Sequence, residues 1–528
     1  MRFCTRNNIK ELSKLGFMKN VFGFARKKAF LIIEVMVCVL KKYQKRVLCR
    51  KGKSGIYEES FESSSTVSGC AEKRWAVLLC CVVVLCLCSC RTAQMIALQS
   101  DLREVLLSGK TVEADALIES DGKKYNDDLV YAMDAGWINY YNGDYDNAIR
   151  FFTAAENLAE ARKPKSIKNF IGTLAIGANA SDFSATDYEH IFINIGLALS
   201  YYGKGEPDEV FVEIRKIDSK LTDYALNAKD KNSVLEELMT LEVSDPYNWK
   251  DGEGRTGSFT PPEEAEQYTF SPFASYLSML FYRAEGDVSN SEIDFKRLAA
   301  ISRFTPDADD VKVPQGKARV NFVSVEGLIP QKHEESVMAW TMLPPLKYKD
   351  QNGKQVRVPG LPYSHKVAWS VLPEHSVSDI VRTTVRCSDG SSVEETVIED
   401  VALAAKKSLS VNTESEFLKS YYRGYTRLKT SWFGIARVYA EMKKKSPALA
   451  FAFLVSSLNA VNKSEKADLR LGSFLPGNIK CAGMTLEPGV YDFTVEYLMS
   501  DGTSVTRVFS GVKVREKGLN LIVSECIK

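Results

Sequence analysis

The hydrophobic period of this 528-residue chain changes near Pro306, and the change limits the folds open to it. From Thr92 to about Asp310, apolar residues recur at the spacing of helices that bury one face, with few strand signals. Beyond Pro306, short stretches alternate apolar and polar residues, as half-buried strands do. Helices followed by strands define an α+β class. The expected architecture is a set of N-terminal tetratricopeptide-like helical repeats, then a strand-rich C-terminal module with one long helix.

Three units in the first half share the order helix, glycine-containing turn, helix. In residues 132–161, Gly136, Gly143, Ala148, Phe152 and Ala155 fall at the offsets of a tetratricopeptide repeat. Gly143-Asp144 supplies the turn, Ala148 and Ala155 are small where helices cross, and Phe152 fills the groove between them. Residues 191–221 turn at Gly205, with Pro207 suited to a first helical turn. Residues 270–304 turn at Gly286-Asp287. The units are unevenly spaced, and the longest insertion, residues 244–267, reads as a loop or crossing segment.

In the second half, residues 318–325, 367–372 and 383–387 read as strands, and Ser388-Asp389-Gly390 as a hairpin turn into residues 393–398. A helix is expected over residues 415–445, ending in Lys443-Lys444-Lys445. Residues 448–460 are strongly apolar but too short to span a bilayer, and read as buried. The C-terminus reads as a three-stranded antiparallel meander from Tyr491 to Cys526, part of a small sandwich or barrel-like module.

A second constraint lies upstream. Lys73-Arg74 precede the apolar run 75–87, and Cys88-Ser89-Cys90 follow it. Two charges, a short apolar stretch and a small-residue cleavage site make a secretory signal peptide, since a span needs about 20 apolar residues. Leu87-Cys88-Ser89-Cys90 resembles the bacterial lipobox, so Cys90 is expected to be acylated and to begin the mature protein. Residues 1–72 then read as a non-native or cytoplasmic extension, 73–89 as the lipoprotein signal peptide, 90–310 as the helical domain and 311–528 as the mixed, strand-rich domain.

Charge separates the same segments. Residues 1–53 hold 15 Lys and Arg against Glu11 and Glu34. Because the whole chain is +2, the part from Cys90 onward is about −9. An acidic body without a basic stripe is a poor nucleic-acid binder. Nine of the 12 cysteines lie at or before Cys90; of Cys387, Cys481 and Cys526, the first two flank expected strands and could pair in an oxidising compartment, or all three could be buried thiols.

Four stretches carry a resemblance: Tyr188-Glu189-His190 through Val212-Glu213-Ile214-Arg215, Phe273-Ala274-Ser275-Tyr276-Leu277, residues 327–332, and Ala467-Asp468-Leu469-Arg470 with Leu475-Pro476. In this order they resemble an uncharacterised family of bacterial outer-membrane lipoproteins with tetratricopeptide-like repeats. The resemblance covers about residues 120–528; Leu469 and the residues after Arg470 depart from the family pattern. It implies an outer-membrane location, as does Arg91 after Cys90, which is no inner-membrane retention Asp; a scaffold role places the body on the periplasmic side rather than the cell surface. Relatives often accompany lipoproteins that regulate cell-wall synthases, which implies a setting in envelope or cell-wall biogenesis.

No metal-ligand spacing, nucleophile elbow or phosphate loop occurs in the mature part, so no metal, no cofactor and no enzymatic activity is expected. Glu189, Glu213 and Arg215, on otherwise apolar helices, read either as a clamp for a partner peptide or as internal ion pairs and turn ligands. Asp468 and Arg470 read as fixing a loop. The expected function is a lipid-anchored envelope scaffold that binds a protein or peptide through its helical repeats. A surface lipoprotein for an extracellular or host ligand is the alternative, and a cell-wall-acting enzyme stands third.

Overall fold

Glycine turns set the helical half. The computed structural model describes residues 92–162, 182–227, 247–250, 256–263, 266–301, 304–350, 352–373 and 378–528. Helices α1 (residues 92–107) and α2 (Thr111–Asp121) lead into α3 (Asp128–Tyr141) and α4 (Tyr145–Ala161). Next come α5 (Asp187–Lys204) with α6 (Pro207–Asn227), then α7 (Pro272–Ala284) with α8 (Val288–Ile301). Each of the three helical hairpins turns at a glycine with positive φ: Gly143 at 76°, Gly205 at 84° and Gly286 at 79°. Side-chain L residues avoid that region, so these positions end one helix and release the chain into the next. The residues after these turns begin the next helices. The Asp144 carboxylate accepts from Asn147 N at 3.1 Å, and Pro207 opens α6.

Phe152 joins two of these hairpins. It is fully buried, and its ring lies 2.6 Å from where a Cβ on Gly136 would sit and 2.5 Å from one on Gly196. The ring is therefore clasped between the backbones of α3 and α5. Ala148 and Ala155 on α4 are fully buried.

The small ladder β1 (Asn248–Lys250) and β2 (Thr256–Ser258) lies in the insertion expected to be loop, and Phe259 after it stacks on Phe417 at 3.9 Å. After Pro306 come β3 (Ala318–Glu326), β4 (His333–Leu343), β5 (Leu346–Lys349), β6 (Gln355–Val358), β7 (Leu361–Val371), β8 (Ile380–Cys387), β9 (Ser392–Glu394) and β10 (Thr396–Asp400). Helices α9 (Val401–Lys445) and α10 (Pro447–Lys463) follow, then β11 (Asn478–Leu486), β12 (Gly489–Met499), β13 (Ser504–Val514) and β14 (Asn520–Cys526). Two four-stranded sheets, ordered β10-β11-β3-β14 and β13-β12-β8-β9, pack face to face; β4 pairs with β7 and β5 with β6. The class is thus α+β.

Phe322, Phe493, Val495 and Ile522 pack in the core between the two sheets. The opposite face of the first sheet, with Val323, Val325 and Ile479, joins the helical core around Trp137, Phe152 and Tyr276. Helices, sheet and sheet therefore form three layers. All nine residues of β3 are buried because it is covered on both faces, where alternation alone implied one wet face.

Four further details depart from the sequence reading. The strand expected over 393–398 splits at Glu395: β9 pairs with β8, and β10 crosses to pair with β11. The C-terminal meander breaks after β13, because β14 leaves the β12–β13 hairpin and pairs parallel with β3. Helix α9 begins at Val401 rather than Ser415, capped by the Asp400 carboxylate, which accepts from Leu403 N at 2.8 Å. Residues 448–460 are only partly covered: α10 buries Ala450, Leu454 and Leu458 but leaves Leu449 and Phe451 each 63% exposed. A single strip of α10 meets α9 and the β5–β6 hairpin, around Trp432, Leu346 and Val358. Cys387, Cys481 and Cys526 are buried free thiols, the first two on different sheets.

The Phe152 clasp predicts that Gly196→Ala lowers stability. Overpacking costs about 1–3 kcal/mol, offset by up to about 1 kcal/mol of helix propensity. A urea unfolding midpoint equal to or above that of the parent chain would contradict the clasp.

Candidate functional site

The segment from Glu465 to Gly477, between α10 and β11, contains no helix or strand and crosses the boundary between helices and sheet. Its backbone groups need partners, and the helices supply them. On α3, Asp134 accepts from Ser473 N at 2.7 Å through one carboxylate oxygen. Its other oxygen takes Gln99 Nε2 and the Tyr125 hydroxyl, each at 2.7 Å. On α5, Glu189 accepts from Gly472 N at 3.0 Å and, with its second oxygen, from Thr186 N at 2.8 Å. One carboxylate thus caps its own helix and holds the crossing segment. From α1, Arg103 donates to Ser473 O at 3.1 Å and Ile329 O at 2.6 Å, so its guanidinium also ties down residues 327–332. Ile329 N donates to Leu475 O at 3.0 Å.

Arg470 completes the junction. It is 2% exposed and grips Asp468 with two nitrogens, at 2.9 and 2.7 Å. A third contact, 3.5 Å, reaches Asp127, the carboxylate that caps α3 and accepts from Arg162 at 2.7 Å. Asp468 also accepts from Arg470 N at 3.0 Å, the backbone bond expected of a loop-fixing aspartate. Burial pushes the Asp134 carboxyl up to about 7, against the pull of its three donors, and lowers the Arg103 guanidinium to about 10.

Three of the four stretches singled out in the sequence therefore meet at this junction. The fourth, Phe273 to Leu277, docks nearby on the same sheet: Phe273 N and Ser271 Oγ donate to Glu399 at 3.1 and 2.8 Å, with the Tyr268 hydroxyl on its other oxygen. Glu213 stands apart, accepting from Asn194 at 2.6 Å and Lys216 at 2.8 Å. Arg215 is apart again, exposed, with its guanidinium 4.4 Å over the Phe211 ring. Glu189, Glu213 and Arg215 thus occupy three separate environments. Cys90 and the leader lie outside the described residues.

Arg215 lines a groove of about 530 Å³ between α6 and the α7–α8 hairpin. Ile214, Ile217 and Ile293 give it an apolar floor and flank; Arg297 and Asp294 add opposite charges. Asp294 is only 9% exposed, and its Oδ2 has no hydrogen-bond partner among the described residues. Burial raises its carboxyl above the usual range. Such a groove can take an extended segment that brings a donor to Asp294 and an acidic group to Arg215.

A second buried polar cluster sits where β9 hands over to β10. Glu326 pairs with Lys480 at 2.7 Å and accepts from the Thr383 hydroxyl, while Glu395 lies beside them without a cation of its own. One lysine cannot balance two carboxylates. Burial, reinforced by Glu326, pushes Glu395 up to about 8, so it stays protonated at neutral pH.

Sequence reasoning missed Asp127, Asp134, Arg103, Glu395 and Glu399. Asp134 left a trace, as the one acid amid Tyr131-Ala132-Met133 and Ala135-Gly136-Trp137. Of the histidines, His365 is buried and pushed down to about 4 by desolvation, and His375 lies outside the described residues.

Asp134→Ala leaves three buried donors without their acceptor and is expected to cost about 3 kcal/mol or more; proteolysis within residues 465–477 should accelerate, and unchanged cleavage there would contradict the junction. For Glu395, the folded state holds a proton that the unfolded state releases near its ordinary value of 4.5. Its contribution is full below that value and is lost as pH rises through about 8. Glu395→Gln should flatten the fall in stability between pH 5 and 9, by a few kcal/mol at about 1.4 per pK unit. Asp134 has the same sign, so a residual slope remains in that variant. Parallel stability–pH profiles of parent and variant would contradict the assignment.

Compared with protein-family models, with curated proteins and with solved structures, the chain has no significant match.

Proposed function

We propose that this chain is a lipid-anchored, non-enzymatic scaffold of the bacterial outer membrane, facing the periplasm and acting in envelope or cell-wall biogenesis. Its anchor is an acylated Cys90, and its three helical hairpins act as tetratricopeptide-like repeats that hold a protein or peptide partner. The observation that carries the binding half is the groove between α6 and α7–α8, into which Asp294 brings a nearly buried carboxylate with an unused oxygen beside Arg215 and apolar Ile293. The anchor half rests on Leu87-Cys88-Ser89-Cys90 and on the resemblance to outer-membrane lipoproteins. In this reading Glu189, Glu213, Asp468 and Arg470 are structural, and Arg215 meets the partner together with Asp294. Several acyl chains on one cysteine, at about 0.8 kcal/mol per inserted CH₂, hold such a body firmly.

Mass spectrometry of the mature N-terminus should find an acylated Cys90; an unmodified Cys90 or an intact Met1 would overturn the anchor. A photo-crosslinker at Ile293 should capture a discrete envelope protein in cells, and Arg215→Glu should reduce the yield at least tenfold. Crosslinks unaffected by Arg215→Glu would remove the groove from the proposal, and digestion by protease added to intact cells would replace the periplasmic face with the surface.

A further inference from the structure

The charge of the described chain is unevenly distributed. Residues 343–361 and 428–463, which comprise the β5–β6 hairpin, the second half of α9 and all of α10, hold ten Lys and Arg against two acids, Asp350 and Glu441. Yet the part of the chain from Cys90 onward is net acidic. The fold brings the two segments together. The Arg437 guanidinium lies 5.0 Å over the Tyr348 ring, Lys444 Nζ is 3.5 Å from Asp350, and Trp432 Nε1 donates to Pro344 O at 2.8 Å. Both acids are already engaged by Lys444. Lys347, Lys349, Lys354, Arg357, Lys443 and Lys445 form no ion pair among the described residues.

Apolar side chains are exposed in the same place. Lys443-Lys444-Lys445 end α9, and α10 begins two residues later with Leu449 and Phe451 each 63% exposed and Val455 41% exposed. On α9, Phe433 is 46% exposed. A soluble helix normally turns such residues inward, and α10 has its inward strip filled by Ala450, Leu454 and Leu458. Cations flanking aliphatic and aromatic side chains match a lipid surface: lysines meet phosphates, and Leu, Phe and Val enter beneath them. A nucleic acid would satisfy the lysines but leave Leu449 and Val455 in water. No helix among the described residues is long and apolar enough to cross a membrane.

We infer that the α9–α10 turn and the β5–β6 hairpin dock on an anionic phospholipid surface, with the first turns of α10 entering end-on so that Leu449 and Phe451, on different sides of the helix, both insert and the lysines meet the headgroups. This contact is separate from Cys90 and does not require its acylation.

The test uses the full chain carrying Cys90→Ser, with vesicles of phosphatidylethanolamine and phosphatidylglycerol at 3:1 or of phosphatidylcholine alone. Amide exchange across residues 443–456 is read together with co-sedimentation. Anionic vesicles should slow exchange in this stretch at least fivefold, and phosphatidylcholine should not. Leu449→Ser with Phe451→Ser, or Lys443→Glu with Lys445→Glu, should abolish that protection and weaken partitioning about tenfold, while unfolding midpoints stay within those of the parent. Unchanged exchange on anionic vesicles overturns the inference even if the chain sediments through its apolar leader. Equal protection by both vesicle types overturns its anionic part. A dimer that the serine variants convert to monomer, without any vesicle effect, assigns the face to self-association instead.

Discussion

Two carboxylates on two helices, Asp134 and Glu189, reach the backbone of one crossing segment at Ser473 N and Gly472 N, and the arrangement of the helices on the sheet depends on them. A segment without helix or strand can be buried only if its peptide groups are satisfied by something else. Here the donors and acceptors come from α1, α3 and α5, while the segment continues into β11, the neighbour of the central strand β3. Hydrogen bonds of this kind are worth little individually, yet leaving any one unmade in the interior is costly. The junction therefore fixes an orientation that apolar packing between two smooth layers would leave loosely defined.

Much of the helical half was legible because its turns need glycine. Gly143, Gly205 and Gly286 each hold a positive φ, and caps such as Asp144 stand next to them, so local chemistry marks the ends of the helices. The strand-rich half was less legible because its order is set by long-range contacts. Nothing local tells β14 to pair parallel with β3, or tells residues 393–398 to change sheets at Glu395. Strands β4 to β6 gave too weak an alternation to be recognised, and β3 hid its double coverage behind a pattern that also fits a one-sided strand. The apolar run in α10 misled for a different reason: hydropathy reports the desire for cover, not whether the fold provides it.

The candidate site shows the same division. Glu189, Asp468 and Arg470 could be singled out because charges among apolar neighbours are conspicuous, and the structure gives each a partner within hydrogen-bonding distance. Their shared role was not legible, since Glu189 and Gly472 are nearly three hundred residues apart in sequence. Arg215 looked similar in the sequence but faces outward over Phe211. Burial and its consequences for protonation, as at Asp134 and Glu395, arise only when layers close over a side chain.

Phe152 has a consequence for how the sequence can vary. Its ring occupies space that a side chain at either Gly136 or Gly196 would need, so three positions on three helices share one volume. Drift at any one of them is conditional on the others: either glycine is replaced without strain only after a smaller residue has arisen at 152, and that intermediate would carry a cavity. Substitutions at these three positions are therefore coupled, and the coupling runs across the first two hairpins.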